Sequence, residues 1–231
     1  MVLRVFFALV AVFAVIPDAH AAPLRVLAWD HNVSARKLAV AVGEKSAVIE
    51  HMHHGQRTEP INVPAGNPNV RLVDLEKRDD EGKPLGVAFL IPEAIKRPLL
   101  LLVPDEKSAL GLKPLILDDN LAGFGWGSFN LLNATGKPLV AQFYDDKLVP
   151  LRASTRPVNY APPRGSKATM SVKVFDAKNE SKKAFYSDVW EYGENLRQLV
   201  ILVPRTESDT RGPMELKFVV ENRLDVEPQA P

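Results

Sequence analysis

Four segments of this chain recur, in the same order, roughly 100 positions further along. Arg97-Pro98-Leu99-Leu100-Leu101-Leu102-Val103-Pro104 aligns with Arg197-Gln198-Leu199-Val200-Ile201-Leu202-Val203-Pro204 at an offset of 100, with five identities in eight. Val70-Arg71-Leu72-Val73-Asp74 aligns with Val172-Lys173-Val174-Phe175-Asp176 at 102. Asn32-Val33-Ser34 with Lys37-Leu38 aligns with Asn133-Ala134-Thr135 with Lys137-Pro138-Leu139 near 101, and Leu117-Asp118-Asp119-Asn120 with Val219-Val220-Glu221-Asn222 at 102. Collinear recurrence of this kind marks a duplication. A repeat this long is a domain rather than a solenoid unit of about 20–50 residues. The chain therefore divides into units over 24–120 and 128–223, joined by 121–127 (LAGFGWG). The polar, Pro-rich end over 224–231 is expected to fray.

Each unit reads as strands. Short apolar runs cover 24–29, 38–42, 47–51, 69–75, 87–91, 99–103 and 113–117 in the first, and 128–132, 139–144, 148–151, 169–175, 184–190, 199–203 and 215–220 in the second. Gly, Asp and Asn clusters separate them, among them Gly43-Glu44-Lys45 and Asp79-Asp80-Glu81-Gly82, as turns require. The 99–103 run is apolar at every position, which suits a central strand covered on both faces. No window holds an amphipathic helix of three turns; 92–96 and 191–197 suit single helical turns at most. Seven short strands per unit, with turns every 8–12 residues, predict a sandwich. The expected fold is all-β: two tandem Ig-like antiparallel β-sandwiches.

The N-terminal stretch predicts export. Arg4 provides a positive start, 5–16 is an apolar run, and Ala19-His20-Ala21 has the small-x-small pattern of a signal peptidase site. Residues 1–21 are expected to be a signal peptide, and the mature protein to be periplasmic or extracellular with no membrane span. The chain contains no cysteine, so stability must come from burial without disulfides. A net charge of +1 argues against a nucleic-acid partner, which would need a dense basic face.

The sequence resembles exported bacterial Ig-like domain families, including families of unknown function. The residues carrying the resemblance are Asn32, Gly43-Glu44-Lys45, Val63-Pro64-Ala65-Gly66 and Asp74, then Asn133, Asp145-Asp146-Lys147 and Asp176. The resemblance implies a fold and an exported address, and it brings no catalytic residue with it. The Cys pair of antibody-type domains is absent.

Candidate sites are few. His51-Met52-His53-His54 is the one cluster with metal-ligand character. On a strand, His51 and His53 would share a face about 7 Å apart. Glu50, His54 or His31 could then complete a Zn²⁺ or Cu²⁺ site. The matching stretch of the second unit, from Arg152, has no histidine, so the fold does not need the cluster. Tyr186, Trp190 and Tyr192 crowd one segment; Tyr186 and Trp190 would share a strand face able to stack on a sugar or peptide, or else form a core Trp with rim tyrosines. The acidic pairs, Asp118-Asp119 among them, read as turns and solvated strand ends. Phe124 and Trp126 read as packing between the units. Asn32, Asn133 and Asn179 stand in Asn-x-Ser/Thr sequons, the first two read as turn residues at equivalent positions. There is no Cys nucleophile, no Ser in a Gly-x-Ser-x-Gly motif and no phosphate loop, and the sequence by itself locates no carboxylate pair. The sequence therefore points to a non-catalytic exported binding or scaffold module of the cell envelope, with a protein or envelope glycan as partner. Metal binding and carbohydrate binding or processing stand as alternatives.

Overall fold

The computed structural model of the chain describes residues 21–144, 146–154, 156–178, 183–204 and 214–226. The expected signal peptide lies outside them except for Ala21, as do Asn179, Asp145 and the last five residues. The first unit contains β1 (Ala21–Ala28), α1 (His31–Ser34), β2 (Leu38–Val42), β3 (Lys45–Val48), β4 (Ile61–Pro64), β5 (Val70–Arg78), β6 (Pro84–Ala88), β7 (Pro98–Pro104) and β8 (Leu112–Asp118). The second contains β9 (Ser128–Asn133), β10 (Leu139–Phe143), β11 (Leu148–Leu151), β12 (Val158–Tyr160), β13 (Thr169–Asp176), β14 (Tyr186–Glu191), β15 (Leu196–Pro204) and β16 (Met214–Asn222), followed by α2 (Arg223–Val226).

The two units have the same topology, strand for strand. The first pairs sheet β4-β1-β7-β8 with sheet β3-β2-β5-β6; the second pairs β12-β9-β15-β16 with β11-β10-β13-β14. The chain is thus two tandem β-sandwiches. Two details differ from expectation. Each unit has eight strands, because β4 and β12 are too short and too close to prolines to read as strands in sequence. Neither sandwich is wholly antiparallel: β1 runs parallel to β7, and β9 to β15. The intervening strands carry the chain out to the other sheet and back, which supplies the long crossover a parallel pair needs.

Period-two alternation divides the side chains of the all-apolar strand between two cores. Leu100 and Leu102 of β7 join Leu24, Val26, Leu38, Val40, Val70 and Leu72 in the interior of the first sandwich. Leu99 and Leu101 point the other way. They meet Leu27, Leu117, Leu132, Leu199, Ile201, Val219 and Phe124 in a third core between the units. The second sandwich closes around Phe129, Phe143, Tyr160, Trp190, Val200 and Leu202. Each half therefore has its own interior, and a shared seam joins the β1-β7-β8 face to the β9-β15-β16 face. Burying an aliphatic or Phe side chain contributes about 1.5–3 kcal/mol, so this seam is a major source of stability. Phe124 lies in it as the sequence predicts.

The seam is built from equivalent positions. Leu27 and Leu132 stand opposite Leu101 and Ile201 on the neighbouring parallel strands. Leu99 and Leu199 stand opposite Leu117 and Val219. The same four positions of the repeat therefore supply the apolar face on both sides.

Candidate functional site

Arg25 shares the seam face of β1 with Leu27, Arg197 shares that of β15 with Leu199, and Glu221 shares that of β16 with Val219, each two residues from its apolar neighbour. Asp119 follows β8 directly. These four side chains and Arg57, from the 49–60 loop, form one network across the seam. Arg57 donates to both Asp119 oxygens at 3.0 Å. Arg197 donates to Asp119 Oδ2 at 3.2 Å and pairs with Glu221. Arg25 reaches both carboxylates and lies 2.8 Å from Glu221. Arg197 also donates to the Asp119 carbonyl at 3.1 Å, and its guanidinium stacks over Phe124 at 5.0 Å and Trp126 at 5.4 Å. The linker is thereby clipped to the charge network.

Asp119 and Arg197 are 2% and 1% exposed. Burial on its own would raise the Asp119 pKa, but the charges of Arg57, Arg197 and Arg25 hold it below the ordinary carboxylate value. Burial pulls the Arg197 guanidinium down from its usual value, while Asp119 and Glu221 oppose the shift. Asp119 is therefore no solvated strand end, as the sequence suggests, but the hub of a desolvated ion network. The desolvation cost of buried ions offsets most of their mutual attraction, so the apolar seam, not the network, holds the units together. Beside the network opens a cleft of about 550 Å³, lined among others by Arg25, Arg57, Glu59, Arg97, Glu221 and Asp225.

The histidine cluster sits at the other end of β1. The 53–58 segment runs along that strand, with Ala28 N–H donating to the His53 carbonyl at 3.2 Å and Val26 N–H donating to Thr58 Oγ1 at 2.9 Å. His53 and His54 stack at 4.5 Å, and His31 meets His54 edge-on at 6.4 Å. The expectation that His51 and His53 share a strand face is overturned. β3 ends at Val48, and His51 takes a left-handed backbone conformation at φ +50° in the loop, which breaks the alternation. His53 Nδ1 instead accepts from Gly55 N–H at 3.0 Å. Among the described residues, no group of three or more His, Asp or Glu side chains is placed to hold a metal ion. Across the seam, Lys217 of β16 donates to the Ala28 carbonyl at 3.3 Å and lies over Trp29 at 5.1 Å. Burial lowers its pKa to about 8, against the pull of Asp30 and Glu215. Burial also lowers the His54 imidazole, followed by the nearby His53, Lys217 and His31.

The aromatic candidates turn inward. Trp190 and Tyr192 are buried in the second sandwich, Trp190 lying 5.5 Å from Phe129 and edge-on to Phe143 at 5.8 Å. Trp190 Nε1–H donates to the Tyr186 hydroxyl at 3.0 Å, and that hydroxyl donates to Asp188 at 3.2 Å. Tyr186 is the half-buried rim of this stack, and burial raises its pKa. The reading of Tyr186, Trp190 and Tyr192 as a stacking surface is thus corrected: the rings are a core cluster with one hydrogen-bonded rim residue.

No protein-family model matches the chain, and no curated protein matches it significantly. Among the described residues, no helix is long and apolar enough to cross a membrane.

The asparagines separate as well. Asn133 works as a turn residue: its carbonyl oxygen accepts from Thr135 N–H at 3.0 Å, and its amide donates to the Lys137 and Leu151 carbonyls at 2.7 and 2.8 Å. Asn32 is exposed in α1, where Asp30 supplies the cap by accepting from Val33 N–H at 2.8 Å. The two are not equivalent, because Asn133 ends β9 whereas Asn32 follows the end of β1 by four residues.

The principal residues missed in the sequence are Arg57, Arg197, Asp119, Glu221 and Lys217. Arg197 and Glu221 lie inside recurring segments, each flanking an apolar run. A charge kept at the edge of a buried strand was the available signal. Arg57 carried none, since its role depends on how an irregular loop follows β1.

Proposed function

We propose that the mature chain is an exported, non-catalytic binding or scaffold module of the cell envelope, with a protein or an envelope glycan as partner. The observation that supports this reading is the use made of the most convergent charged groups. Asp119 and Glu221 are engaged by three arginines across the seam, which leaves neither carboxylate poised as a general acid or base. The apolar seam joins two sandwiches into one body whose outer sheets end in open edges. The β3 edge is the plainest: all four of its residues are exposed, Val48 at 51%. Its two-residue hairpin turn uses Gly43 at φ +60°, and the register Val42↔Lys45 directs the Ser46 and Val48 backbone groups outward. Such groups accept a further strand. At β14, by contrast, Asp188 accepts from the Val189 N–H at 2.8 Å and blunts the edge.

The test uses the mature protein immobilised against envelope proteins and soluble envelope glycan. Retention of a defined component, lost in Ser46→Pro, is the expected result. Turnover of a substrate by the purified protein, or retention unchanged by Ser46→Pro, contradicts the reading.

A further inference from the structure

The two sandwiches differ at one corner, where the open side between the sheets is bounded by the β2–β3 hairpin and β4, and by their counterparts in the second unit. In the second unit this corner is filled. Phe143 and Tyr160 stack there with ring centroids 3.8 Å apart, both buried. Their equivalents follow from register. Val42 stands opposite Val70 as Phe143 stands opposite Val172. Ile61 stands opposite Leu24 as Tyr160 stands opposite Phe129. Ala47, opposite Val40, takes the place of Val149, opposite Ala141. At all three positions the first unit has the smaller side chain. In place of the ring stack it has an open groove of about 300 Å³, lined by Val40, Val42, Ala47, Ile61 and Val63, with Lys45 at its rim.

We propose that this groove binds an aromatic carboxylate, with the ring lying between the sheets and the carboxylate on the Lys45 ammonium. In the second unit the same backbone holds flat rings between the same two strands, which suits the groove to a ring. The charge at the rim suits an anionic head group. The Lys45 side chain has no ion-pair or hydrogen-bond partner among the described residues, and it is the one charged side chain that lines the groove. The groove lies within the lower end of the size range of small-molecule sites, about 300–1,000 Å³. This site is separate from the outward edge of β3 and goes beyond the reading above.

The experiment titrates the mature protein with 4-phenylbutyrate and, separately, with 4-phenylbutanol, following the methyl resonances of Val42 and Ile61 by NMR. The acid is expected to shift those methyls saturably and to bind more tightly than the alcohol. The Lys45→Met variant should lose about threefold to fivefold for the acid and nothing for the alcohol, as expected of a solvent-exposed ion pair. Filling the groove with Val42→Phe and Ile61→Tyr should weaken both ligands about tenfold or more, by steric exclusion. Ala47→Leu gives a second, milder filling should the double variant fail to fold. No saturable shift, equal affinity for acid and alcohol, or affinity untouched by filling overturns the proposal. None of these outcomes bears on Ser46→Pro retention, so the two readings fail separately.

Discussion

The two units share a topology and pack their interiors in different ways. The first has an almost wholly aliphatic core, with Phe89 the one buried aromatic residue in it among the described residues. The second is built round Phe129, Phe143, Tyr160, Trp190 and Tyr192. The seam between them is conservative by comparison, leucine facing leucine, isoleucine or valine at the same four repeat positions. A duplicated sandwich thus tolerates a changed interior and a changed rim, while the face on which both copies depend keeps its shape. The polar residues show the same division. Asp119 and Glu221 hold one repeat position, yet Asp119 is buried as the hub and Glu221 keeps some exposure, 13% of its side chain. Arg197 crosses the seam, while its counterpart Arg97 lines the cleft instead.

The largest effect should come from breaking that asymmetry at its hub. Asp119→Ala leaves buried guanidinium groups uncompensated and should cost about 3–5 kcal/mol in urea unfolding. Glu221→Ala, at the equivalent but wetter position, should cost less, about 1–3 kcal/mol. Equal losses would show that the two positions do the same job. Next in size is an exchange between the cores. Phe143→Val, which gives the second unit the residue of the first, should cost about 2 kcal/mol in lost burial and residual cavity. Val42→Phe, the reverse exchange, should stabilise by about 1 kcal/mol through cavity filling. Destabilisation by Val42→Phe would mean the first unit's corner cannot admit a ring.

Smaller still is the contrast between the sequons. Asn133→Ala removes the side-chain donor to the Leu151 carbonyl and one of two side-chain donors to the Lys137 carbonyl, and should cost about 1–3 kcal/mol. Asn32→Ala, on an exposed helical turn, should stay within about 0.5 kcal/mol.

The comparison extends to pH. Asp119 and Asp74 have lowered pKa values, so the folded state binds fewer protons than the unfolded state. Their contribution is present at neutral pH and is lost as pH falls below the ordinary carboxylate value. Lys217 is lowered from 10.5 to about 8, so the unfolded state holds the extra proton between those values and stability should rise with pH across that window. Lys217→Met should flatten the alkaline rise and leave the acid limb intact; an unchanged rise would place its cause elsewhere.

The repeat, the strand content and the sandwich architecture were legible because hydrophobic alternation and turn residues are local. The doubly apolar character of 99–103 even forecast a strand covered on both sides. Phe124 in the seam was legible too, as a large ring in a joint too short to hold the units apart. The 49–60 loop was not. Its course depends on backbone pairing to β1, so neither the left-handed His51 nor the inward Arg57 has a local signature. Trp190 shows the opposite limit. Alternation placed it correctly on one face with Tyr186, but only the location of the second sheet decides whether that face is wet. Asp119 was misread because an acidic pair after a strand has the composition of a turn, whatever lies across from it.

The central claim is that two equivalent sandwiches are joined by a third core into one cooperative body. The chain has three tryptophans, of which Trp29 lies in the first unit and Trp190 in the second. Urea unfolding of two single-tryptophan variants, one keeping Trp29 and one keeping Trp190, tests the claim most directly. Coincident midpoints with equal slopes are predicted. Two separated transitions, each with the slope of a single unit, would show that the seam does not couple the halves and would contradict it.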